Sequence, residues 1–382
     1  MSIIEESVVK PIRMVDVIGQ YHRYQDEIDE AILAVVRSGA YINGPTVKQF
    51  ERNMESYLGV KHAIACASGT DALQVAMMSL GIGVGDEVIT TPFTFVATTE
   101  TIGLFGAKPV YVEIDPDTFN IDPEQIEKKI TSKTKAILPV HLFGQPANMD
   151  RILAIAHKHK LPVIEDAAQA VGASWNGKRA CSIGTLATIS FYPSKNLGAF
   201  GDAGMITTND DKLANIARSI CNHGASVTYY HDRLGVCSRL DSIQAAILDV
   251  KLKYLDEWNA RRNEVAKLYT ELLLPYSNRI KTPVCDERAT PIWHQYCVLL
   301  THKRDEIMMA MKERGIPTNV YYPVPLHLQP AYSSFGSVKG DFPIAESASE
   351  HILALPMHSE LSDEDARYIA EELIHTVEKL SL

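Results

Sequence analysis

Between Lys61 and Thr208 the chain repeats one pattern that leaves few folds open. Short apolar or β-branched runs, HAIACA, DEVITT, KPVYVEI, TKAILPVHLF, LPVIEDAA, LATISFY and GMITT, alternate with stretches of helical periodicity. Such alternation predicts an α/β architecture: a mostly parallel sheet wrapped by helices. Several runs are apolar throughout, as strands covered on both faces are, and each closes on Gly, Pro, Asp or Ser, which suit turns. Ligands of such sheets bind beyond the carboxyl ends of the strands, so reactive residues are sought there.

A second texture begins near Arg239. SRLDSIQAAILDVKLKYLDEWNARRNEVAKLYTELL spaces its apolar residues as one long or broken amphipathic helix. The Pro-punctuated remainder contains a strand candidate, HQYCVLL, and two helix candidates, RDEIMMAMKERG and DEDARYIAEELIHTVEKL. The expected organisation is a large domain over residues 12–255 and a smaller α+β domain over 256–382.

With 382 residues, 46 % of them hydrophobic, the chain can bury a large core. Its formal charge of −10 disfavours a surface built to grip nucleic acid. Six cysteines without a CxxC pair fit reduced thiols better than a disulfide framework or a zinc cluster. MSIIEESVVK is no secretory signal, and no window approaches the roughly eighteen apolar residues of a membrane span, so a cytoplasmic protein is expected.

Four pieces of the larger domain carry the candidate chemistry. In ACASGTDALQVAMMSL a strand runs through Ser68, Gly69 and Thr70 into a helix, whose N-terminus offers backbone N–H groups to a phosphate. The same residues could serve only as a helix cap. In LPVIEDAAQAVGA, Glu165 and Asp166 fall where a buried strand ends, and a carboxylate there needs a cation or hydrogen-bond donors. A protonated pyridine nitrogen, a metal, an Arg or a helix N-terminus would each satisfy Asp166. In TISFYPSKNLGAFGDAG, Lys195 follows Ser190 in a loop bracketed by Pro193, Gly198, Gly201 and Gly204. A lysine presented there to a dry crevice can form a Schiff base, although a lone lysine is ordinarily solvated. In TTPFTFVATTE, Phe95 could stack on a flat ring, or Phe93 and Phe95 could both be core.

A phosphate cradle, a stacking ring, a carboxylate for a pyridinium nitrogen and a lysine for an aldehyde are together the demands of pyridoxal 5′-phosphate, PLP. Competing signals are weaker. GIGVGDE follows a helix and reads as its C-terminal turn rather than a dinucleotide motif. His157 and His159 lie two apart on a probable helix and face different ways, and DPDTFNIDPE lacks calcium-loop spacing, so no metal site is expected.

From about Tyr41 to His358 the chain resembles the DegT/StrS family of PLP-dependent nucleotide-sugar aminotransferases, which have the aspartate aminotransferase fold (fold type I). The resemblance rests on AYINGPTVKQFE, SGTDAL, GIGVGDEVITTPFTFVAT, KPVYVEID, TKAILPVHLFGQ, VIEDAAQAVGA, SFYPSKNLGAFGDAG, His223-Gly224, SRLDSIQAAIL and YYPVPLHLQPAY in order. It implies that Lys195 bonds the cofactor aldehyde, Asp166 pairs with the pyridine nitrogen and Gln169 hydrogen-bonds the phenolic oxygen. It also implies that Gly69, Thr70 and Ser190, with Ser68 beside them, hold the phosphate, and that Phe95 stacks on the ring. Arg239 and His327 fall where members contact the sugar nucleotide, Arg239 from the neighbouring subunit of a dimer, and Tyr41 joins the substrate-binding set. One departure stands out: Cys237 occupies the place of an Asn that bonds the partner's phosphate, and a thiol is a much weaker donor. Arg239 or Asn222 could compensate.

The resemblance implies transfer of an amino group from L-glutamate to a keto group, at C3, of a nucleotide-linked sugar. A dTDP-3-keto-6-deoxyhexose comes first and a UDP-linked 3-keto-N-acetylglucosamine or its uronate next. The rivals are a sugar dehydratase, which has histidine where Lys195 stands, and a non-catalytic PLP-binding regulator.

Overall fold

The computed structural model describes residues 12–380. MSIIEESVVK and the last two residues lie outside them. After a short helix over Val17–Arg23, α1 (Gln25–Ser38) and α2 (Pro45–Leu58) precede β1 (His62–Cys66), α3 (Gly69–Ser79), β2 (Glu87–Thr90), α4 (Ala97–Leu104), β3 (Lys108–Tyr111) and β4 (Thr134–Ile137). Next come α5 (Met149–His159), β5 (Ile164–Asp166), β6 (Leu186–Ser190), β7 (Gly204–Thr208) and α6 (Asp211–Cys221). All seven strands read from the sequence form.

They make one sheet in two halves. β3 and β4 flank β2 in parallel, and β5 pairs in parallel with β6. Parallel bridges Ile137–Val163 and Val140–Asp166 join the halves, reinforced where Asp166 N–H donates to Pro139 O at 2.9 Å and His141 N–H to Asp166 O at 3.0 Å. The order is therefore β3-β2-β4-β5-β6-β7-β1. Only β7 runs against its neighbours, β6 and β1. A parallel pair needs a long crossover, and the loop 191–203 between β6 and β7 contains no helix. That loop carries Lys195.

Alternate residues along the strands enter opposite cores. Ile64, Cys66 and Ile206 pack on one face with α3 and α6, whereas Ala63, Ala65, Ile189 and Met205 pack on the other with Phe50 and Trp258. α3 is buried along most of its length, which its Ala, Leu, Val and Met content permits. It ends as GIGVGDE implied, with Gly81 in the left-handed region at φ 68°.

The amphipathic segment after Arg239 is two helices, α7 (Ser242–Leu252) and α8 (Leu255–Leu273). Beyond it, β8 (Tyr296–Leu300) pairs antiparallel with Ile280–Lys281 and with β9 (Ile352–Leu355), α9 (Arg304–Glu313) lying between β8 and β9 in sequence. α8, α9 and the last helix, α10 (Asp363–Leu380), share a core with these strands, built on Val265, Tyr269, Val298, Met311, Ile369 and Leu373. Among the described residues, no helix is long and apolar enough to cross a membrane.

Candidate active site

Where β5 and β6 end and α3 begins, the sheet opens into a cavity of about 770 Å³. Ser68, Gly69, Thr70, Phe95, Asp166, Gln169, Ser190 and Lys195 all line it. Residues from four separate strand ends thus meet in one place.

Asp166 is the last residue of β5 and is buried. Thr98 Oγ1 donates to its Oδ2 at 2.8 Å and Ala168 N–H to its Oδ1 at 3.2 Å. Burial pushes its pKa up; those two hydrogen bonds, then the nearby charge of Lys195, pull it down. Burial wins, so the charged form of this carboxylate is disfavoured. Its neighbour Glu165 points to the opposite side of the strand, as period-two geometry demands. There it accepts N–H groups of Cys181, Ile183 and Gly184 at 3.1, 2.8 and 2.6 Å. His141 completes that shell at 2.9 Å; because its Nδ1 accepts from Ala147 N–H, its Nε2 is the donor to Glu165. Of the two carboxylates, only Asp166 faces the cavity.

Lys195 is half-buried in a loop closed by Lys195 N–H to Tyr192 O and Ala199 N–H to Phe191 O, both 2.8 Å. Burial lowers its pKa to about 8, against the opposing pull of Asp166. This is not a solvated surface lysine. Gln169 Oε1 accepts from Phe143 N–H at 2.6 Å, which leaves the amide NH₂ as its cavity-side donor, 3.2 Å from the Tyr322 hydroxyl.

Ser68 does cap α3, its Oγ accepting from Asp71 N–H at 3.1 Å, and it lines the cavity as well. A side chain at Gly69 would place Cβ 2.6 Å from Cβ of Ser190, so only glycine lets the helix start sit against the end of β6. The two phenylalanines separate cleanly: Phe93 is buried in the core, whereas Phe95, the candidate for stacking on a flat ring, is 56 % exposed on the cavity wall.

Three candidates fall elsewhere. His327 does not reach the cavity: it is buried between the rings of Tyr111 and Phe342, with Nε2 3.0 Å from Glu346. Tyr41 is half-exposed, its hydroxyl donating to Val36 O. Arg239 lines a separate cleft with Asn222, Lys48 and Arg218, and its guanidinium lies 3.1 Å from Cys237 Sγ. Sequence reading missed Thr98, Tyr322 and His294. A run of threonines on a buried helix, Thr98, Thr99 and Thr101, was the one available signal for the first; the other two lie in YYPVPLHLQPAY and HQYCVLL, in the distant C-terminal part, where nothing in the pattern singles out either side chain.

The chain matches the DegT/DnrJ/EryC1/StrS aminotransferase family over residues 22–374. It belongs to that family. It is 50 % identical to a "pleiotropic regulatory protein" of Geobacillus stearothermophilus, over 95 % of this chain and 97 % of that one. To the UDP-2-acetamido-2-deoxy-3-oxo-D-glucuronate aminotransferase of Pseudomonas aeruginosa it is 47 % identical, over 95 % of this chain and 99 % of that one. The crystal structure of S. venezuelae DesV in complex with a ketimine intermediate matches with a TM-score of 0.94 at 40 % identity, covering 97 % of this chain and 99 % of that one.

As a member of the DegT/DnrJ/EryC1/StrS family the chain is a transaminase of the fold type I group, and its cofactor is PLP, which solved relatives carry as PLP or as its amino form, PMP. The residues present fit that group. Asp166 keeps carboxylate lone pairs free of a cation, and the Gly69–Ser190 contact leaves a cradle that a Cβ would fill.

Proposed function

We propose that the chain transfers an amino group from L-glutamate to the C3 keto group of a sugar carried on a nucleoside diphosphate. The observation that carries this reading is that Lys195 and Asp166 line one cavity together with the Ser68–Thr70 turn. When bound, PLP supplies an electron sink for the carbon that loses its proton. Asp166 would hold the proton on the ring nitrogen, with Thr98 and Ala168 N–H fixing the carboxylate. The NH₂ of Gln169 would donate to the phenolic oxygen, the N–H groups of Gly69 and Thr70 and the hydroxyls of Ser68 and Ser190 would hold the phosphate, and Phe95 would cover one ring face. Lys195 Nζ, displaced by the donor amine, would carry the proton between carbons, first as base and then as acid.

The substrate class draws on the P. aeruginosa relative, which acts on a UDP-linked 3-oxo uronate. UDP-linked 3-keto sugars therefore head the panel, with dTDP-linked 3-keto-6-deoxyhexoses beside them. Lys195 is the one cationic side chain on the cavity wall, among the described residues. A diphosphate needs more positive charge than that, which supports a homodimer in which a second copy brings Arg239 to the site. Cys237 is a much weaker donor than the family's Asn, and the Arg239 guanidinium beside it is the group placed to compensate.

The test is a panel of keto nucleotide sugars incubated with glutamate and the purified enzyme, scored by product mass. Amination of a 3-keto sugar is the expected result. The relative named as a regulatory protein keeps a second reading open, a PLP-binding regulator without turnover. A visible cofactor band that fails to shift with glutamate would select it.

A further inference from the structure

His294 lines the cavity from the segment that leads into β8, and no local sequence pattern marks it. Its position depends on Gly144. At φ 96° a side chain there would sit 2.8 Å from the backbone nitrogen of His294, so glycine lets the two segments touch. Ile292 N–H closes that contact on Gly144 O at 3.0 Å.

The direction of every proton around the ring is fixed from both ends. Asn259, on α8, donates its NH₂ to Val171 O at 3.2 Å, so its carbonyl oxygen accepts from Asn196 at 2.8 Å. The same Asn196 NH₂ donates to Ile292 O at 3.0 Å, leaving Asn196 Oδ1 as an acceptor. His294 Nδ1 lies 3.2 Å from that oxygen and must carry the hydrogen. Nε2 is then the ring's lone-pair nitrogen, and the one hydrogen bond of the ring among the described residues is the one that Nδ1 makes to Asn196. Asn196, which orients the ring, is the residue after Lys195. Burial, then the charges of Lys195 and Arg262, keep the imidazole well below its ordinary pKa and therefore neutral. The ionisable groups around the pair are Lys195 on its own loop, Arg262 beneath on α8, the Tyr322 hydroxyl, and Asp166 and Asp202 on the cavity wall.

We propose that His294 Nε2 is the hydrogen-bond acceptor for the Lys195 amine whenever that amine is not bonded to the cofactor. His294 is thus a positioning residue for the reactive nitrogen. It holds the displaced lysine at the cavity wall, in reach of the carbon whose proton it must move, instead of letting it swing toward solvent. The proposal rests on Lys195 being the reactive amine.

The test measures the amine itself, in full-length protein freed of cofactor. Trace labelling with acetic anhydride across a pH series, read at the Lys195 peptide by mass spectrometry, reports the midpoint at which the amine becomes neutral. An acceptor stabilises the ammonium, so His294→Phe should lower the midpoint by about one pH unit, which raises the neutral fraction at pH 7 about fivefold. His294→Leu serves in its place if the phenylalanine does not fit. His294→Gln can turn an amide oxygen to the same position and should restore most of the shift. Asp166→Asn should lower the midpoint in every background, because the carboxylate raises it. A wild-type midpoint that moves with Asp166→Asn but not with either apolar variant overturns the role of His294. A wild-type midpoint near 10.5 would instead remove the reading of Lys195 on which it rests.

Discussion

The lysine at position 195 is held where its charged form is disfavoured, and two consequences follow at that single side chain. Its pKa, about 8 against an ordinary 10.5, means that the folded chain binds fewer protons than the unfolded one between those values. The penalty on folding is therefore complete below pH 8 and is lifted as pH rises toward 10.5. Lys195→Ala removes that penalty along with the reactive nitrogen. In the cofactor-free protein the variant should melt no lower than wild type at pH 7, while turnover falls by at least about 10³-fold; calorimetry and product mass check the two halves. Capture of PLP requires the neutral amine, so the rate at which cofactor-free protein develops its visible band should rise with pH around a midpoint near 8. A rate still climbing steeply at pH 10 would mean that the amine is solvated.

Elements explain why some of this could be read in advance. Asp166, Ser190 and the Ser68–Thr70 turn stand directly beyond apolar strands, and strand order alone brings such ends together, so local pattern and position coincide. Tyr322 and His294 reach the same cavity, and Thr98 reaches Asp166 behind it, by packing between segments far apart in the chain, a relation that periodicity does not encode. His327 shows the converse. Its segment passes the cavity, with Leu326 on the wall, but the ring turns into the core toward Glu346. The antiparallel β7 belongs here too, since GMITT has the composition of its parallel neighbours and only the helix-free loop before it reverses the strand. α8 ties the parts together through Arg262, buried and donating to carbonyls of Trp293, His294 and Met357 at 3.0, 3.4 and 3.1 Å. Replacing it with Met leaves three buried carbonyls without this donor, at about 1–3 kcal/mol each before relaxation. Arg262→Met should therefore lower stability by roughly 3–5 kcal/mol, read from urea unfolding, and should weaken cofactor retention because the segment bearing His294 loses its anchor. An unchanged urea midpoint would show that water or repacking satisfies those carbonyls.

For the whole molecule the decisive quantity is charge. The cavity wall carries Lys195 against Asp166 and Asp202, among the described residues, and a nucleoside diphosphate would enter a site with no surplus of positive charge. Arg239 lines a neighbouring cleft with Lys48 and Arg218 and is not on the wall of its own chain's cavity. In a two-fold dimer each surface meets its own copy, so a cation that is displaced from one cavity can complete the other. Lys195→Ala and Arg239→Ala should then each be nearly inactive alone, the first for want of the amine and the second for want of the anion contact. Mixed by co-expression in equal amounts, half the dimers are hybrids, and each hybrid holds one site with both defects and one with neither. Activity should recover to about one quarter of the wild-type value. If Arg239 served the cavity of its own chain, every site in a hybrid would carry one defect and mixing would restore nothing. The recovered fraction therefore distinguishes a shared site from a private one.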